Sequence, residues 1–268
     1  MQSGAMKQAL IAKPTLHLRD FAPDYCESLN KAQTVAKTLR LCQRIGELQP
    51  KLYANGTQGI VIVLQGVDTS GKDGTSRRVL EFVNPSGVEF TAFKMPSAEE
   101  RAHDFLWRVH KALPRHGNLG VWNRSHYEDV LVVRVLNLAP KEVWQKRYDH
   151  INAFEKILTE NGYHVLKFFL HISKREQAAR LQERLDDPTK QWKFAAADVE
   201  MRKRWDDFQQ AYEDVLNRCS TRHAPWYVVP ADRNWYRDYV VASTVCNTLE
   251  SLDLKWPKPS EDFSKIRF

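Results

Sequence analysis

Residues 60–64, Ile-Val-Ile-Val-Leu, form an unbroken aliphatic run of the kind that fills a parallel strand covered on both faces. Comparable apolar runs at 90–93, 119–122, 165–172 and 226–229 predict four more strands. Between the strands the apolar positions return every three or four residues. Leu29, Val35, Leu39, Leu41, Ile45 and Leu48 predict a leading helix over about 25–48. Further helices are predicted near 72–83, along the face of Ala102, Phe105, Leu106, Val109 and Leu113, over 143–158 and over 236–252. Parallel strands require crossovers, so this alternation implies a doubly wound, five-stranded parallel α/β sheet with an N-terminal helical extension.

One segment breaks the alternation. Residues 177–185 and 198–216 read as two successive helices joined by 187–193, with no strand between them. Met201, Trp205, Phe208, Tyr212 and Val215 make one apolar stripe, the core face expected of a helical hairpin. Arg180 and Arg184 lie one turn apart, and with Lys190 and Lys193 they stand where a phosphate-closing lid would be inserted in such a sheet. For Arg180 alone a solvated charged face fits equally well. The expected organisation is a single domain over 16–258 with its lid at about 175–222. A flexible leader over 1–15, with a cloning remnant up to Met6, and a tail over 259–268 flank it.

The chain has 268 residues, 43% hydrophobic and 27% charged, which excludes a disordered or collagen-like chain. Neither a membrane span nor a secretory leader is visible, so the expected location is the cytoplasm and no membrane partner is expected. Cys26, Cys42, Cys219 and Cys246 have no metal or redox spacing and read as free thiols. A net charge of +7 favours an anionic partner. Between residues 172 and 222, however, eleven Lys and Arg face ten Asp and Glu, which does not resemble a nucleic-acid-binding tail.

Candidate chemistry is concentrated in two segments. Gly66-Val67-Asp68-Thr69-Ser70-Gly71-Lys72-Asp73-Gly74-Thr75 follows the first strand and opens a helix, matching G-x-x-x-x-G-K. Its glycines let backbone N–H groups converge on phosphate oxygens, the helix start adds positive potential, and Lys72 is placed to reach a transferring phosphate. Asp73 occupies the position where Ser or Thr ordinarily holds Mg²⁺, which leaves Asp68 as the candidate ligand, or as the residue of an Asx turn. The second segment, Asn123-Arg124-Ser125-His126-Tyr127-Glu128, begins at a strand end. Arg124 there reads as a phosphate clamp or as a salt bridge to Glu128, and His126 as a packed histidine. Arg77 and Arg78 read equally as a polyanion path or a solvated face.

The segments GVDTSGKDG, FKMPSAEERAHDFLWR, WNRSHYEDVLVVRV, RLDDPTKQWKF and APWYVVPADRNWYRDY together resemble the family-2 polyphosphate kinases, over roughly 16–256. The resemblance implies a P-loop kinase-like domain that moves phosphate between inorganic polyphosphate and AMP, ADP and ATP, with Mg²⁺, as a homo-oligomer. Asn123 with the following Ser-His-Tyr-Glu is similar to the class III branch, which phosphorylates both mono- and diphosphates, and this points to Asn123 and Glu128 on the acceptor side. The resemblance further implies that Asp68 binds Mg²⁺ and that Lys72 and Arg124 neutralise the transferring group. Gly66, Ser70, Gly71, Asp73, Gly74 and Thr75 then line the phosphates, and Arg184 and Lys193 close from the lid. An ATP-dependent nucleoside monophosphate kinase and a nucleic-acid-binding protein are the alternatives.

Overall fold

The computed structural model describes residues 11–12, 15–262 and 266–267, so the expected remnant up to Met6 lies outside the described residues. Five parallel strands, β1 (Gly59–Gln65), β2 (Val88–Ala92), β3 (Leu119–Asn123), β4 (Tyr163–His171) and β5 (Trp226–Pro230), form one sheet in the order β2-β3-β1-β4-β5. All five predicted strands are present.

The labelled helices are α1 (Lys31–Asn55), α2 (Lys72–Val79), α3 (Arg147–Glu160), α4 (Lys174–Asp186), α5 (Ala196–Lys203), α6 (Trp205–Cys219) and α7 (Asn234–Ser251). Successive side chains of a strand point to opposite faces, and β1 is apolar from Ile60 to Leu64, ahead of a buried Gln65, so it builds two cores. Ile60, Ile62 and Leu64 join Ile45, Leu48 and Leu52 of α1 and Val241, Val245 and Leu249 of α7. Val61 and Val63 meet Ile151, Phe154 and Leu158 of α3 and Phe208, Val215 and Leu216 of α6 on the other face. The sheet is thereby wound on both sides.

Helix boundaries depart from the periodicity for local reasons. Helix α1 begins at Lys31, where the Asn30 side chain accepts from the Gln33 N–H, and runs past Pro50 to a left-handed Gly56. The helix expected to reach residue 83 stops at Val79, ahead of Asn84-Pro85, which turn the chain into β2. The face expected over 102–113 divides into short helices Ala98–Arg101 and Trp107–Lys111, and the 143–158 pattern into Lys141–Trp144 and α3. The second helix of the hairpin breaks at Arg204 into α5 and α6.

The leader expected to be flexible up to residue 15 is held at Ile11 and Ala12. Ile11 bridges Tyr227 in antiparallel fashion, and the Ala12 N–H donates to the Trp226 carbonyl at 2.8 Å. These residues cover the edge of β5, whose outer backbone groups would otherwise be open. The four cysteines are free thiols. Among the described residues no helix is long and apolar enough to cross a membrane.

Candidate active site

The loop Gly66–Thr75 leaves the C-terminal end of β1 and enters α2, whose N-cap is Gly71 with no side chain capping the first N–H groups. Those donors are open to an anion, and the helix dipole favours one there. Gly71 is left-handed at φ 100°, and a Cβ on it would lie 1.8 Å from Arg237 Nη1, so a larger residue would be strained and would have to displace that guanidinium. Thr69 Oγ1 and Ser70 Oγ are buried with no partner within the protein. Lys72, 8% exposed, donates from Nζ to the carbonyls of Gly66 (2.8 Å) and Val67 (3.2 Å). Burial, reinforced by the nearby Arg124 charge, lowers its pKa to about 8.

Arg124, at the end of β3 and at φ 62°, donates from Nη2 to Asp68 Oδ1 at 2.7 Å and from Nη1 to Glu128 Oε2 at 3.2 Å. The Glu128 carboxylate, with Asp68 beyond it, keeps the guanidinium firmly charged despite burial. The salt bridge to Glu128 is therefore present, and a second one ties the guanidinium to Asp68 of the loop. Asn123 sits beside it and donates from Nδ2 to Asp73 Oδ1.

Behind this segment lies a fully buried ion pair. Lys167 Nζ on β4 donates to Glu155 Oε2 (2.6 Å), Tyr127 OH (2.9 Å) and the Cys219 carbonyl (2.7 Å). Tyr127 OH also reaches Glu155 Oε1 at 2.8 Å, and His126 Nε2 lies 3.2 Å from the same oxygen. Burial alone would raise the Glu155 pKa, yet Lys167 and His126 hold it below the ordinary value. His126 is thus the packed histidine expected, and no sequence spacing announced Lys167 or Glu155.

Beside the loop opens a cavity of about 430 Å³. Its walls are apolar, with Met95, Val132, Leu136, Met201 and Phe208, and its polar end carries Asp68, Arg124, Glu128 and Asp129. Arg108 shapes the wall from behind: Nη1 donates to the Lys94 carbonyl at 2.9 Å, and Nη2 lies 3.6 Å from Asp129 Oδ2.

The basic residues of the hairpin divide. Arg184 pairs with Asp198 at 3.7 Å, and Lys193 Nζ lies over the Trp192 ring at 5.0 Å, so neither touches the phosphate loop here. Lys190 pairs with Glu183 and Asp187. Arg180 is neither a lid cation nor solvated, because it donates to the backbone carbonyls of Thr69, Ala231 and Asp232. At α2, Arg78 pairs with Glu81 at 2.6 Å, whereas Arg77 is exposed.

Among the described residues no three His, Cys, Asp or Glu side chains gather as a metal cage. Asp68 and Asp73, both within the loop, carry the hard carboxylate oxygens that a divalent cation takes, one or two at a time, beside phosphate and water.

Residues 28–257 match polyphosphate kinase 2 (PPK2). A relative from Meiothermus ruber, named AMP/ADP-polyphosphate phosphotransferase, is 50% identical over 93% of this chain and 94% of its own. An ADP-polyphosphate phosphotransferase from Rhodopseudomonas palustris is 43% identical over 81% of this chain and 79% of its own. The crystal structure of polyphosphate kinase 2 from Arthrobacter aurescens TC1 superposes with a TM-score of 0.93 at 40% identity, covering 97% of this chain and 94% of that one. Matched by the family model over 28–257 and by these relatives over most of its length, the chain belongs to the polyphosphate kinase 2 family.

Proposed function

We propose that the protein transfers the terminal phosphate of inorganic polyphosphate to AMP and to ADP. The observation that carries this reading is the meeting of the phosphate loop, the Asp68–Arg124 pair and the apolar cavity in one crevice. The dual-acceptor name of the Meiothermus ruber relative supports the choice of acceptors.

Phosphoryl transfer needs positioning and charge neutralisation more than covalent chemistry. The open N–H groups of the Gly71–Gly74 stretch receive phosphate oxygens, and Lys72 exchanges its carbonyl partners for the transferring group. Arg124 shares its guanidinium between Asp68 and that group, while Asn123 and Glu128 border the acceptor. Mg²⁺, held by Asp68 with Asp73 beside it, would supply further neutralisation of the phosphate oxygens. Arg184 and Lys193 close over the chain and exclude water. His126 is buried against Glu155 and takes no phosphate, so transfer is direct and in line. A cytoplasmic setting and assembly of several copies belong to the same reading.

The test supplies AMP and Mg²⁺ with either long-chain polyphosphate or ATP as the only donor. ADP followed by ATP from polyphosphate is expected. Activity with ATP alone would make the protein a nucleoside monophosphate kinase, and phosphorylation of ADP but not AMP would remove the dual-acceptor assignment.

A further inference from the structure

Three consecutive carbonyls of the phosphate loop are each held by a side chain from elsewhere in the fold. The Asp68 carbonyl accepts from Gln177 Nε2 at 3.3 Å, the Thr69 carbonyl from Arg180 Nη1 at 2.9 Å, and the Ser70 carbonyl from Arg237 Nη1 at 3.4 Å. Gln177 and Arg180 lie one turn apart on α4, and Arg237 is buried on α7. Arg180 also reaches the carbonyls of Ala231 (2.7 Å) and Asp232 (3.1 Å) through Nη2, so one guanidinium bridges the loop and the exit of β5.

A planar peptide directs its N–H opposite to its carbonyl. Fixing the Asp68 and Ser70 carbonyls therefore fixes the N–H directions of Thr69 and Gly71. The intervening Ser70 N–H closes a turn on the Val67 carbonyl at 3.1 Å. Thr69 is β-branched yet sits at φ 66°, a conformation that L side chains rarely adopt and that surrounding contacts must impose. Arg180 holds the carbonyl of that same residue.

We infer that Gln177, Arg180 and Arg237 are positioning residues that preset the phosphate loop, with Arg180 holding Thr69 in its strained form. None of them need touch substrate. This rests on the reading of Gly66–Thr75 as the phosphate site. Because α4 is also the first helix of the hairpin that carries Arg184, the same contacts seat the base of the lid on the loop.

Tripolyphosphate with Mg²⁺, titrated calorimetrically into the full chain, tests the inference without requiring turnover. Arg180→Met is expected to raise the tripolyphosphate Kd by at least about tenfold, since a small misplacement of the binding groups is enough to do so. Arg180→Lys, which keeps a charged donor but loses the guanidinium fork that spans Thr69 and Ala231, should recover part of the loss. Backbone amides of residues 67–71 should exchange faster in both variants. A lowered melting temperature with an unchanged Kd would overturn the inference and leave Arg180 a scaffold residue. If Arg180→Met does not fold, Gln177→Met takes its place, and an unchanged Kd there is equally decisive. Failure of the wild-type chain to bind tripolyphosphate would instead remove the reading of the loop itself.

Discussion

The phosphate loop and the outer part of the hairpin are held in opposite ways. Loop carbonyls are fixed by Gln177, Arg180, Arg237 and Lys72, and Ser70, Lys72 and Thr75 are buried. At the tip, Lys190 pairs with Glu183 and Asp187 next to it, Lys203 pairs with Glu200, and Trp192 is 77% exposed. Exposed pairs of this kind contribute about 0–1 kcal/mol each, so rearranging the tip costs little. Distorting the loop would strip partners from buried polar groups, at about 1–3 kcal/mol for each. In the proposed function the rigid side supplies preorganised charge and the loosely tied side closure.

The comparison breaks first at the loop. Lys72→Ala and Asp68→Asn should each lower kcat by about a hundredfold or more with the fold intact, because loss of a preorganised charge at a transferring group costs about 3–4 kcal/mol. Normal turnover and Mg²⁺ dependence in Asp68→Asn would reduce Asp68 to a turn residue. Steady-state kinetics beside circular dichroism decides.

The pH profile sharpens the same point. The folded pKa of Lys72, about 8, lies below its ordinary 10.5. Between these values the unfolded chain holds a proton that the folded one has released, so this group's contribution to stability rises with pH across that window. Activity moves the other way, because neutralising phosphate requires the protonated form. We expect kcat/KM to fall above about pH 8, and kcat to fall at higher pH, since bound phosphate favours the charged amine. Lys72→Arg should flatten this limb if it retains measurable activity, and an unchanged limb assigns it to another group.

On the hairpin side, Arg184→Ala and Lys193→Ala should raise KM for polyphosphate by about tenfold each, the size of one lost charge-assisted hydrogen bond. No change in KM would leave these residues tied to Asp198 and Trp192 throughout the cycle.

The smallest effect concerns acceptor choice. Asn123→Asp would place a carboxylate against Asp73, whose Oδ1 now accepts from the Asn123 amide. AMP phosphorylation should fall more than ADP phosphorylation, with added Mg²⁺ recovering part of the loss. An unchanged ratio of kcat/KM for the two acceptors would move the search to Glu128.

The sheet was legible because β1 carries an unbroken apolar run that only a doubly covered strand explains. The loop and the 123–128 segment were legible because each is contiguous in sequence. Lys167, Arg108, Gln177 and Arg237 were not, since many of their partners are backbone carbonyls or carboxylates far along the chain, which leave no spacing to read. The stops at Val79 and Arg204 were missed because apolar periodicity carries no mark of the local backbone turns that end those helices.

Hydrogen exchange with and without AMP, tripolyphosphate and Mg²⁺ tests the contrast between the two sides most directly. Backbone amides at 66–75 should already exchange slowly in the free protein, while those at 187–203 should exchange quickly and slow strongly when the ligands bind. Fast exchange in the free loop, with protection on binding confined to it, would contradict a preset loop and a closing lid.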